Sequence, residues 1–145
     1  MPTKLVVGLD GAGSGNRALD HGKQLARLIG DCEILVVYVI EWSPFTFQTA
    51  EENAQRHKRR EEEIAVANSR VVEPAVAQLT ADGFTASGKV RHGDVAETLN
   101  AIAEENGADQ IVVGRSSESG FTSRIFGSST SNLVMHASMP VTVVG

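Results

Sequence analysis

Apolar and polar residues alternate along this chain in blocks, and the blocks have the lengths of strands and helices. Residues 4–9 (KLVVGL) form an apolar, β-rich run that ends in Asp10, followed by the loop Gly11-Ala12-Gly13-Ser14-Gly15. Ala18, Gly22, Leu25, Ala26 and Ile29 then recur at helical spacing, and Gly30 supplies the stop. Residues 33–40 (EILVVYVI) are apolar without alternation, the pattern of a strand buried on both faces. After a loop at 41–49, the spacing of Ile64, Ala67, Val71, Ala75 and Leu79 predicts one long polar helix over 50–81. Pro74 lies inside that pattern, so a kink or break is expected near Glu73.

The second half repeats the alternation. Residues 86–91 read as a third, weaker strand, and His92-Gly93 turns the chain. Asp94 with Glu97 three residues on is a capping box for a helix whose apolar face is Val95, Leu99, Ile102 and Ala103 and whose end is Gly107. A fourth strand at 111–113, a polar loop at 114–127, a helix over 128–137 and a fifth strand, Val141–Val144, complete a βαβαβαβαβ order. Continuously apolar strands alternating with helices imply an α/β fold with a parallel sheet between helices. Right-handed crossovers make it a doubly wound five-stranded sheet with helices on both faces. No linker or internal repeat divides the chain, so residues 1–145 are expected to be a single domain.

Composition narrows the function classes. A net charge of −5 argues against a sequence-independent nucleic-acid binder, which needs clustered excess Lys and Arg. No apolar run approaches the roughly 20 residues that span a bilayer. The first residues enter a strand without a signal-peptide layout, and the single Cys32 excludes an internal disulfide framework. The expectation is a cytoplasmic protein with neither nucleic-acid partners nor membrane insertion.

In doubly wound sheets, ligands sit beyond the carboxyl ends of the strands, where the strand order reverses. Both Gly-rich segments, 11–15 and 114–127, follow strands on that edge, and the tip of strand two at 39–41 belongs there too. Gly127-Ser128-Ser129-Thr130 opens a helix with a glycine and three hydroxyls. Free N–H groups and the helix dipole make such a start an anion cradle, which points to phosphate and so to a nucleotide. It is not a Walker P-loop, because no Lys follows the glycine, and Gly11, Gly13 and Gly15 alternate as GxGxG rather than GxGxxG. Asp10 is either a turn former or helix cap, or a carboxylate accepting hydrogen bonds from adenosine. A phosphoryl-accepting receiver is excluded, since strand five is VTVV without a lysine and strand three ends in Arg91-His92-Gly93.

The remaining polar residues stay open or structural. Arg115 and Arg124 flank the cradle, placed either to meet phosphate charge or to be solvated. His21, His57, His92 and His136 lack metal-ligand spacing and read as surface or cap residues, and Cys32 as a small core residue. The block 58–63 (KRREEE) reads as the solvated face of a helix, while Trp42, Phe45 and Phe47 fit a lid, core or partner surface equally. No Ser-His-Asp, paired-carboxylate or metal constellation is present, so no catalytic residue is assigned.

LVVGLDG, LVVYVIE, HGDVAETL and the terminal VVGRSSESGFTSRIFGSSTSNLVMHASMPVTVV together resemble the universal stress protein family over essentially the whole chain. Nucleotide-binding members carry Gly, two residues, Gly, nine residues, then Gly followed by Ser or Thr. Gly114 matches the first position and Gly127-Ser128 the last, while Ser117 replaces the middle glycine. The resemblance implies a Rossmann-like, adenine nucleotide alpha hydrolase-like fold with strand order 3-2-1-4-5. It implies ATP as ligand, with Mg as a counter-ion to its phosphates. Asp10 would lie near adenine and ribose, and the backbone of Val39 against the base. Gly114 would approach ribose or phosphates, with Ser117 beside them. Gly127, Ser128 and Ser129 would hold the phosphates, and Thr130 would add a bond. It also implies a homodimer through Val141–Val144, an uncharged edge strand that pairing with a second copy would satisfy.

The function expected is therefore an ATP-binding regulatory or stress-response protein, not an enzyme beyond at most a weak ATPase. The alternatives are a dimeric interaction module of the same fold without nucleotide, and an adenylating enzyme of the ATP-pyrophosphatase type. The last would need the SGGxDS pattern and substrate domain that this chain lacks.

Overall fold

A computed structural model describes residues 2–10, 13–41, 50–115 and 128–145. Its elements run β1 (Thr3–Leu9), α1 (Gly13–Ile29), β2 (Cys32–Glu41), α2 (Ala50–Ala67), a π turn (Asn68–Val72), α3 (Glu73–Ala81), β3 (Thr85–Gly93), α4 (Val95–Glu105), β4 (Gln110–Gly114), α5 (Ser128–His136) and β5 (Val141–Val144). The five strands form one sheet in the order β3-β2-β1-β4-β5, and every pairing is parallel. The expected doubly wound topology is the one observed.

Unbroken apolar strands bury both faces. Leu5, Val7, Ile34, Val36 and Val112 point to one side, where they pack with Leu19 and Ala26 of α1 and Ala75 and Leu79 of α3. Val6, Leu35, Val37 and Ile111 point to the other, against Leu99, Ile102 and Ala103 of α4 and Leu133 of α5. Each fully buried Val, Leu or Ile contributes about 1.5–3 kcal/mol relative to exposure. The α4 face appears as the spacing predicts, with Ala96 and Thr98 buried beside it. On α1, Ile29 is 42% exposed because it is the last helical residue, and Leu19 and Lys23 are buried in addition to the expected stripe. Lys23 reaches Asp82 just after α3, with Nζ 3.1 Å from the carboxylate.

Several boundaries differ from the pattern: β3 runs on through His92 and Gly93, expected to turn the chain, where it pairs with Ile40 and Glu41 of β2. Helix α1 starts at Gly13, inside the segment expected to be a loop. Intrinsic glycine cost, about 1 kcal/mol each, is overridden by tertiary packing of the following apolar face. The long helix is divided by the π turn rather than simply kinked at Pro74. The amide of Glu73 donates to the carbonyl of Asn68, five residues back, and Pro74 follows at the start of α3, where a missing N–H costs little. The extra residue rotates the apolar stripe by one position. Val72 is fully buried, whereas the expected Val71 is only half-buried.

Val72 packs over Gly88 of β3. A Cβ at Gly88 would overlap Val72 Cγ1 and lie 3.1 Å from Val76 Cγ2, so the π turn and the glycine fit each other. Asp94 caps α4, its Oδ2 accepting from the Glu97 amide at 3.0 Å. Gly30 and Gly107 end α1 and α4 with φ of 92° and 64°, left-handed values that favour glycine. No helix among the described residues is long and apolar enough to cross a membrane.

Candidate functional site

The reversal of strand order lies between β1 and β4, because chain-adjacent connections leave β1 toward β2 on one side and β4 lies on the other. At this edge the strands end unevenly. Pairing of β1 with β2 stops at Leu9 opposite Tyr38, while β2 continues to Glu41, paired only with β3. The main chain of residues 39–41 therefore overhangs β1 on the side of the reversal. Val39 has its side chain buried among the α4–α5 core, so only its backbone is available to a ligand. Asp10 follows β1 directly and is exposed. Two residues before it, Gly8 lets the strand tip approach α4 closely. A Cβ there would lie 3.1 Å from Val113 Cγ1 and 3.2 Å from Leu99 Cδ1.

Helices α1, α4 and α5 all begin on this edge. The start of α4 is closed by its own carboxylates, with Asp94 as cap and Glu97 in the first turn. The first turns of α1 and α5 contain no acidic residue. Helix starts of this kind favour a negatively charged group nearby.

The structure gathers Asp10, Val39, Gly114, Ser129 and Thr130 at this edge, and Ser128 opens α5. Ser117, Gly127 and Arg124, together with Gly11, Trp42, Phe45 and Phe47, lie outside the described residues. Thr130 is buried and bonded within the protein. It is 8% exposed, and its hydroxyl donates to the Gly114 carbonyl at 3.1 Å. In this arrangement its one proton serves the Gly114 carbonyl. Arg115 donates its backbone N–H to the Val144 carbonyl at 2.7 Å, and its guanidinium lies beside Gly145. The Thr130 contact could not be read from spacing, because its partner is 16 residues away and is brought near only by the crossover.

The titratable groups fasten elements together. His92 Nε2 lies 3.0 Å from Glu63 of α2, with the imidazole 9% exposed. Arg91 meets Glu105 of α4 through two hydrogen bonds, at 3.3 and 3.1 Å, which hold the Glu105 carboxyl below its usual range. Burial, then the nearby Asp109, Asp31 and Glu33, push the Cys32 thiol up, in keeping with a core residue at the opposite edge of the sheet. Among the described residues no three His, Cys, Asp or Glu side chains are grouped to hold a metal ion.

Comparison with known proteins follows the same lines. The model of the Universal stress protein family matches residues 1–145. Universal stress protein G of Shigella flexneri is 33% identical over 87 residues, 60% of this chain and 61% of that protein, so the chain spans about three fifths of the length of this relative. UspA from Lactobacillus plantarum superposes with a TM-score of 0.82 at 19% identity, covering 99% of this chain and 97% of that one. A universal stress protein solved in complex with cAMP gives 0.62 at 23% identity, covering 99% and 97%. A family protein of Arabidopsis thaliana solved with AMP bound gives 0.64 at 19% identity, covering 99% and 91%. With a family match from end to end and a shared fold, this chain belongs to the universal stress protein family.

Proposed function

We propose that this protein binds ATP at the carboxyl edge of its sheet and acts as a regulatory, stress-response homodimer with little or no turnover. The observation that carries this reading is the strand-order reversal flanked by two helix starts free of acidic residues, beside a β2 tip that offers its main chain. Adenine lies against the backbone of Val39, ribose near Asp10 and Gly114, and phosphates on the first turn of α5. Solved relatives with AMP or cAMP support an adenine nucleotide in this fold. A Mg ion would enter as a counter-ion to the phosphates, since no metal-holding cluster of side chains stands among the described residues.

The dimer reading rests on the two sheet edges. The edge strand β3 carries Lys89 and Arg91, charges that discourage strand addition, whereas β5 is the uncharged VTVV. Val134 and Met135 of α5, the helix leading into β5, are 51% and 76% exposed.

Ser129→Asp tests the nucleotide site. An acid in the first turn favours the helix itself but repels a bound phosphate. Titration calorimetry should show ATP affinity reduced tenfold or more with the thermal midpoint unchanged or raised. Unaltered ATP affinity would refute the placement of phosphate. Wild-type protein that binds neither ATP nor AMP at millimolar concentration would leave the dimeric interaction module as the function.

A further inference from the structure

Thr130 is the third residue of α5, and Gly114 is the last of β4. The bond from Thr130 Oγ1 to the Gly114 carbonyl ties the point where the chain leaves the sheet to the first turn of the helix it later enters. On its other side, the tip of β4 is held by the Arg115 amide on the Val144 carbonyl. A threonine hydroxyl has one proton, and ionised phosphate oxygens only accept. While Thr130 holds Gly114 it has nothing to donate to a phosphate, and its lone pairs would face the anion unfavourably.

We propose that Thr130 is a positioning residue for the nucleotide site. It fixes the distance between the β4 tip and the free N–H groups at the start of α5, and those N–H groups, not the Thr130 hydroxyl, meet the phosphate. The role rests on the nucleotide reading above. Burial of Thr130 at 8% exposure keeps water from competing for the bond, and an anchored first turn presents its N–H groups to an anion without ordering them at the moment of binding.

The test compares wild type, Thr130→Val and Thr130→Ser by ATP calorimetry and by hydrogen exchange, without nucleotide, of residues 132–134, whose N–H groups bond back to the first turn of α5. Thr130→Val keeps the shape and removes the proton. It should weaken ATP at least tenfold and speed exchange of those amides in the nucleotide-free protein, while Thr130→Ser retains both properties. Thr130→Ala, which leaves room for a water on the Gly114 carbonyl, is read in the same way if the valine variant does not fold. ATP affinity equal to wild type in the valine or alanine variant overturns the positioning role alone. Weakened ATP with unchanged exchange in the free protein also overturns it, in favour of direct contact. Wild-type protein that binds no ATP overturns the nucleotide reading and this role with it.

Discussion

Single side chains do two kinds of work in this protein: they close helix ends and they fasten helices to the sheet. Asp94 belongs to the first kind. Asp94→Ala should lower stability by about 1 kcal/mol, the usual worth of a lost N-cap, measured by denaturant unfolding. Glu105 belongs to the second. Its carboxyl is held low by Arg91, so the pair's contribution is complete above the ordinary glutamate range and fades as the pH falls through the lowered value. The Glu105 carboxyl should titrate below an ordinary glutamate by NMR, and Arg91→Gln should return it. Asp94 and Glu97 are three residues apart, and Gly30 and Gly107 stand where apolar stripes end, so local spacing reveals them. Thr130 finds Gly114, and Lys23 finds Asp82, only after distant elements have packed, and no local pattern carries that information.

Among the elements, the strands and α4 follow directly from their apolar runs, because burial on both faces or along one stripe leaves a period in the sequence. The division of the long helix is different. Pro74 marks the neighbourhood of a break, but one extra residue in a helical turn has no composition of its own. Its position shows only in which valine is buried, Val72 instead of Val71. The contact it makes is tight, since Val72 fills the space that a side chain at Gly88 would need. Gly88→Ala should therefore cost about 1–3 kcal/mol as overpacking, seen as a lower unfolding midpoint with an unchanged denaturant slope.

At the scale of the whole molecule, strand order follows from handedness and alternation, and it brings Asp10, Val39 and Gly114 to one edge from distant parts of the chain. The proposed dimer belongs to this scale as well. The carbonyls of Pro140 and Val144 accept from Ile111 and Arg115, so in the parallel ladder the N–H and C=O of Val141 and Val143 face away from the sheet. Val143→Pro removes one outward N–H while sparing the bonds to β4. By sedimentation the variant should be a monomer with native circular dichroism; a dimer as tight as wild type would exclude pairing through β5. The π turn, finally, reaches beyond stability into how this sequence can change. Because Val72 occupies the place of a side chain at 88, alanine at 88 costs less once position 72 has shrunk, so the two sites are energetically coupled. The Val72→Ala, Gly88→Ala pair should be more stable than the sum of its single losses predicts, because each change relieves the strain or void left by the other.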